Sequence, residues 1–360
     1  MAPVVHALEA RRDVRSSICI TGQHRQMLDP MLELFELRAD HDLAVMRPDQ
    51  SLSELTAAIL TGMGPVLEKL RPDWVLVHGD TTTAMAASLA AFYARCRVAH
   101  VEAGLRTGDR SLPWPEEMNR RLVAPLAALH FAPTESAREN LLAEGIPEER
   151  ILVTGNTVID ALLHTVARNR ADTDWRESMH ARWPVLNEAR RMILVTGHRR
   201  ENHGAGLEEL CQALARLADR GDVVVVFPVH LNPRVRDTVY RLLGEVSGVE
   251  LMDPLDYRDF LLFLEACEFI ITDSGGIQEE APSLGKPVLV TRTTTERPEA
   301  VRAGLARLVG SDGEAIYQAA TTLLDDPDAL GSHQAPANPY GDGCAGERIV
   351  ERLLMERLER

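Results

Sequence analysis

A chain of 360 residues is long enough for two domains of ordinary size, each with its own core. Apolar content of 45%, charged content of 26% and a net charge of -15 suit a soluble protein and argue against a nucleic-acid or anionic-membrane partner, though not against a local phosphate site. The 5 cysteines stand far apart, which fits reduced thiols in a cytoplasmic protein and neither a disulfide framework nor zinc.

Residues 3–12 read as a helix with proline near its start. A doubly wound half begins with a strand that lies mid-sheet, so that opening strand and its loop are expected to be missing here. Strands are expected at 17–21, 74–78, 98–102, 129–133, 151–153, 192–196, 223–228, 249–252, 269–272, 287–290 and 306–309. Helical periods fall between them at 82–95, 115–128, 135–144, 207–218, 233–243 and 257–265, the β-α-β rhythm of an α/β protein with doubly wound sheets. The polar segment 165–190 (Asp172, Asp174, Arg176, Glu177) breaks that rhythm and reads as the boundary between domains spanning 1–165 and 172–342. A loop-like stretch then leads to a closing helix within 343–360, expected to pack back on the first domain. No apolar run exceeds strand length, so no membrane span is expected, nor a signal peptide.

Two apolar runs end on a carboxylate beside a glycine: Val77-His78-Gly79-Asp80-Thr81-Thr82-Thr83 and Val98-Ala99-His100-Val101-Glu102-Ala103-Gly104. At the C-terminal ends of buried parallel strands, such side chains point into the ligand crevice of an open sheet. Asp80 or one of the threonines after it could instead cap the following helix, and Glu102 could find a structural partner in Arg106. Glu116, in the first turn after Trp114-Pro115, is by itself an ordinary dipole complement.

The second half carries two candidate phosphate cradles. One is the strand-to-loop stretch Thr196-Gly197-His198-Arg199-Arg200, and the other is Asp273-Ser274-Gly275-Gly276, where glycines let backbone amides approach phosphate. Glu280 lies about one turn into the next helix, placed for ribose hydroxyls. Phe260 could contact a base or belong to the core, and Arg297 is a further candidate phosphate contact. No HExxH motif or Cys/His cluster exists, so no metal is expected.

Together these segments resemble the non-hydrolysing UDP-N-acetylglucosamine 2-epimerase family over nearly the whole chain. Further matching words are Gly22-Gln23-His24-Arg25-Gln26, Thr154-Gly155-Asn156-Thr157, Pro228-Val229-His230-Leu231-Asn232-Pro233 and Thr295-Glu296-Arg297-Pro298-Glu299. The resemblance implies two Rossmann-like domains facing across a cleft, the GT-B arrangement, and a homodimer. It also implies interconversion of UDP-N-acetylglucosamine and UDP-N-acetylmannosamine through loss of the C2 proton, departure of UDP and its re-addition to a 2-acetamidoglucal. A UDP-sugar would be the ligand, with no cofactor. Asp80, Glu102 and Glu116 match the family's proton-handling carboxylates, and His198 matches the histidine near the diphosphate. Arg199, Ser274, Gly275, Gly276 and Arg297 would contact nucleotide, Glu280 ribose and Phe260 uracil, while Gln23, Gln26 and His230 match a regulatory site.

Three departures stand out. The family places an Arg- and Lys-bearing loop ahead of the position of Met1, which points to a start assigned too far downstream or to an impaired protein. Ala58 stands where the regulatory site has arginine, and Thr293 where aspartate is usual. A GT-B glycosyltransferase or a UDP-sugar-binding protein without turnover remain as other readings.

Overall fold

The computed structural model describes residues 1–23, 25–197, 204–326 and 338–358. The chain forms two compact units, Met1–Ala161 with Tyr340–Arg360, and Leu162–Pro339.

The first unit runs α1 (Ala2–Glu9), β1 (Cys19–Ile20), α2 (Arg25–Leu34), β2 (His41–Asp42), α3 (Leu52–Leu70), β3 (Trp74–His78), α4 (Thr82–Tyr93), β4 (Arg97–Val101), α5 (Glu116–Val123), β5 (Leu129–Ala132), α6 (Glu135–Ala143) and β6 (Ile151–Val153). It holds two separate parallel sheets, β1-β2 and β3-β4-β5-β6. Helix α3 starts on a full capping box, in which Ser51 and Glu54 satisfy each other's backbone amides. Alanine-rich α4 buries Ala84, Ala86, Ala87, Ala90 and Ala91, small side chains that suit helix propensity and close packing. It shares a core with Ile59, Met63 and Leu67 of α3, Val77 of β3 and Val45 beyond β2. On another core, Val4 of α1 and Ile349, Val350 and Leu353 of the terminal helix (Ala345–Leu358) pack with Ala99, Val101, Leu129 and Phe131 of β4 and β5.

The second unit takes in most of α7 (Thr157–Ala171), then α8 (Thr173–Arg182), β7 (Arg191–Thr196), α9 (Ala205–Ala218), β8 (Val223–Pro228), α10 (Pro233–Leu243), β9 (Val249–Met252), α11 (Tyr257–Ala266), β10 (Phe269–Thr272), α12 (Gly275–Ser283), β11 (Val288–Val290), α13 (Pro298–Arg302), β12 (Ala306–Leu308) and α14 (Gly313–Asp325). Its six parallel strands lie in the order β12-β11-β10-β7-β8-β9. Strand order reverses between β7 and β10, which puts a ligand crevice at their C-terminal ends. Strand β8 (VVVVFP) is buried along nearly its whole length, as a central parallel strand requires. Among the described residues, no helix is long and apolar enough to cross a membrane.

The segment read as an interdomain boundary is instead helical and belongs to the second unit. Helix α8 buries none of its residues, so it lacks the apolar stripe that marks a helix in sequence. It is held at its N-terminal end: Asp172 caps it through the Trp175 amide, and Arg258 ion-pairs with Asp172 while stacking on Trp175 at 3.9 Å.

Two histidines lie in the heart of the first sheet. His100 on β4 is in register with His130 on β5, and each is 1% exposed. His100 Nε2 donates to the Gly79 carbonyl at 2.8 Å. Burial lowers their pKa values to about 3 and about 4. The unfolded chain takes up these protons below about pH 6.5 and the folded chain does not until far lower, so stability is intact above that point and falls by about 1.4 kcal/mol per pH unit per histidine beneath it. In His130→Leu, the stability lost between about pH 7.5 and about pH 5, read by urea unfolding, should be about 2 kcal/mol smaller than in the parent. Equal losses in the two proteins would refute this account of His130.

Candidate functional site

At the end of β3 the chain turns through Gly79, at φ 67°, into Asp80. Thr81, not Asp80, caps α4, its hydroxyl accepting from the Ala84 amide at 3.2 Å. Asp80 is therefore free of the capping role, and its carboxylate is ion-paired to the buried guanidinium of Arg120 on α5. Asn119 Nδ2 donates to the Asp80 carbonyl at 2.8 Å, so α5 grips both the backbone and the side chain of this residue. With His100 holding Gly79, the turn is fixed from two elements.

Glu102 follows β4 in the left-handed conformation, at φ 61°. An L-residue there costs about 1–2 kcal/mol, a cost that clusters at functional positions. Its carboxylate lies against the preceding turn: a Cβ placed on Gly79 would stand 3.7 Å from Glu102 Oε1. Asn156 Nδ2 donates to Oε2 at 3.4 Å, and His78 Nε2 lies 3.5 Å from the same oxygen. Burial lowers the His78 pKa, so that contact is not an ion pair at neutral pH. The suggested partner of Glu102, Arg106, goes elsewhere. It forms a two-point pair with Glu144, the residue that caps the C-terminus of α6, at 2.8 and 2.7 Å, because the chain after Glu102 turns toward that helix.

Adjacent glutamates on α5 have separate fates. Glu117 is fully buried and consumed by structure, accepting from the Thr107 amide and from Arg121 Nε, both at 3.0 Å. Glu116 is half-buried, with its carboxylate unclaimed among the described residues. It lies four residues before Arg120, on the same helix face, so α5 brings Glu116 to the Asp80 corner. Sequence reasoning missed Arg120. Its spacing from Glu116 was the available signal.

The nucleotide candidates lie at the sheet reversal of the second unit. Thr196 at the end of β7 and Thr272 at the end of β10 share a hydroxyl hydrogen bond of 2.6 Å. His198 and Arg199, which follow, lie outside the described residues. Ser274 precedes α12 without capping it through its side chain, Gly275 is buried, and a Cβ on Gly276 would meet nothing within 4 Å. The Ser274 amide donates to Thr272 Oγ1 at 3.0 Å, and the first-turn amides that follow it have no acceptor within the helix.

Farther along α12, Glu279 and Glu280 are both buried, at 2% and 6% exposure. Arg297, expected to meet phosphate, is ion-paired to Glu279 at 2.6 Å, since a carboxylate this deep needs a cation. Glu280 accepts from the Tyr257 phenol at 2.6 Å, a contact that no sequence pattern announces. Phe260 is half-buried on α11, three residues beyond Tyr257.

The remaining candidates are divided between the units. Gln23 Oε1 accepts from the Thr83 hydroxyl at 2.7 Å, Gln26 is exposed on α2, and exposed His230 follows β8 with Nδ1 accepting from the Asn232 amide at 3.1 Å.

A sequence model of the family described as UDP-N-acetylglucosamine 2-epimerase matches residues 6–354. The chain is 53% identical over 359 residues to the UDP-N-acetylglucosamine 2-epimerase of Escherichia coli K12, covering 99% of this chain and 96% of that protein. It is 54% identical to a probable UDP-N-acetylglucosamine 2-epimerase of Ralstonia nicotianae, covering 98% and 94%. Among solved structures, the Neisseria meningitidis enzyme bound to UDP-GlcNAc matches with a TM-score of 0.91 at 49% identity, covering 99% of this chain and 96% of that one.

Proposed function

Because the chain belongs to the UDP-N-acetylglucosamine 2-epimerase family, we propose that it interconverts UDP-N-acetylglucosamine and UDP-N-acetylmannosamine by inverting C2. The observation that carries this reading is the carboxylate corner of the first unit. Asp80 and Glu102 meet at one turn from different strand ends, with Arg120 and His100 holding that turn in place, and Glu116 stands one helical turn before Arg120 on α5.

A carboxylate takes the C2 proton, the electrons of that bond form C1=C2, and the C1–O bond breaks to release UDP. Re-addition of UDP at C1, with protonation of C2 on the opposite face, restores the sugar inverted. Inversion needs acid and base groups serving both faces, which more than one carboxylate supplies. Ser274, Gly275 and Gly276 take the diphosphate, Glu280 the ribose and Phe260 the uracil. His198 and Arg199 stabilise charge on departing UDP. Arg297 acts through Glu279, to which it is paired, and would need to leave that pair to reach phosphate directly. No cofactor enters this route.

The wider reading makes the protein a cytoplasmic homodimer that supplies cell-envelope polysaccharide synthesis. Widely spaced thiols support the compartment, and the family resemblance supports the rest. Gln23, Gln26 and His230 would form a second UDP-sugar site, weakened by Ala58 in place of arginine.

Turnover of UDP-N-acetylglucosamine in heavy water, without acceptor, tests the reaction. The expected result is UDP-N-acetylmannosamine, with deuterium at C2 of both sugars at equilibrium. Epimer without deuterium would refute the proton-transfer route. No epimer under any condition, with UDP and a glycoside formed only once an acceptor sugar is added, would favour a glycosyltransferase.

A further inference from the structure

Tyr257 is the first residue of α11, following the Asp256 cap. Its phenol meets Glu280 Oε1 at 2.6 Å across the gap between α11 and α12. Glu280 lies four residues beyond Gly276, one turn of about 5.4 Å down the same face of α12. That step is comparable with the reach from a pyrophosphate to its ribose, so the carboxylate is placed for a sugar diol beneath a diphosphate at Ser274–Gly276.

The two buried glutamates are treated differently. Glu279 has a guanidinium, Arg297, while Glu280 accepts from a neutral phenol. Burial, reinforced by the charge of Glu279 and opposed by the Tyr257 hydrogen bond, pushes the Glu280 pKa up to about 7. A cation would have saturated this carboxylate. A phenol occupies one oxygen and leaves acceptor capacity for hydroxyl donors. It also removes side-chain freedom that ligand binding would otherwise have to freeze.

We propose that Tyr257 is a positioning residue for ribose recognition, fixing the Glu280 carboxylate so that it accepts from the 2′- and 3′-hydroxyls of the bound nucleoside diphosphate. The inference rests on the nucleotide corner assigned above.

The test uses the full-length protein and two probes, UDP and 2′-deoxy-UDP, with Kd measured by calorimetry. In Tyr257→Phe, UDP should bind about tenfold more weakly and 2′-deoxy-UDP only about threefold, because the deoxy probe keeps the 3′-hydroxyl alone and makes one of the two hydrogen bonds to the oriented carboxylate. KM for the UDP-sugar should rise in parallel, with kcat at saturation nearly unchanged. Tyr257→Met, which also lacks the donor, serves if the phenylalanine variant is poorly folded. Equal weakening toward both probes would mean the tyrosine only supports the fold, and unchanged affinities would show that it does nothing here; either result overturns the proposal. Glu280→Gln separates the two levels of inference. If it loses discrimination between the probes while Tyr257→Phe keeps it, the role of Tyr257 fails alone. If Glu280→Gln discriminates like the parent, the ribose assignment fails and the inference falls with it.

Discussion

Replacing Glu102 should uncouple activity from stability. Glu102→Gln is expected to lower kcat by about a hundred- to ten-thousand-fold, the range for a lost proton-transfer group, with UDP affinity little changed. Glu102→Gly should lose activity to the same extent, yet its unfolding free energy should equal that of the parent or exceed it by up to about 1 kcal/mol. The reason is the left-handed backbone at φ 61°, which glycine adopts without strain and glutamate does not. The carboxylate also sits in a half-buried corner, with an amide donor from Asn156 and a neutral histidine beside it. Steady-state kinetics together with urea unfolding decide the matter. A glycine variant clearly less stable than the parent would mean that Glu102 serves the fold, and a glutamine variant with normal turnover would remove it from the chemistry.

Two residues along the same loop, the balance reverses. Gly104 adopts φ 89°, and a Cβ there would stand 2.2 Å from the Ala137 carbonyl oxygen and 3.0 Å from Leu141 Cδ1. The first obstacle is backbone inside α6, so it cannot swing aside as a side-chain tip can. Gly104→Ala should therefore cost more than about 4 kcal/mol, enough to unfold the first unit or drive it into aggregates. Gly108 provides the control. It has a similar φ of 82° but nothing within 4 Å of where a methyl group would project, so Gly108→Ala should cost only about 1 kcal/mol. Near-equal melting temperatures for the two alanine variants would contradict the close approach of this loop to α6.

The strand ends were the most legible part of this chain. Buried parallel strands are continuous apolar runs, so a carboxylate at their end is conspicuous, and Asp80 and Glu102 could be picked out on that ground. The Ser274-Gly275-Gly276 turn was readable because glycine beside a helix start has few other uses. Partners were not readable. Arg106 and Glu144 are 38 positions apart, Asp80 and Arg120 are 40, and Tyr257 and Glu280 are 23. Nothing in local pattern says which arginine meets which acid, so sequence alone offers Arg106 to Glu102 and Arg297 to phosphate. Short or polar elements also escaped. Strand β2 is two residues long, His41–Asp42, and α8 has no apolar face to betray its period. Glu116 and Glu117 look alike in sequence, and only packing reveals that Glu117 is spent on the Thr107 loop while Glu116 is unclaimed among the described residues.

The discontinuity of the first unit has a bearing on how the chain comes to be made. Residues 345–358 contribute Ile349, Val350 and Leu353 to the layer over β4 and β5, and Asp160 receives the Gly346 amide at 2.7 Å. During synthesis, the ribosome must emit the whole intervening unit, Leu162–Pro339, before those side chains exist. The later-encoded unit is thus contiguous and can mature first, while the earlier-encoded one waits, its β4-β5 face covered only in part by α1, for its last helix to be translated.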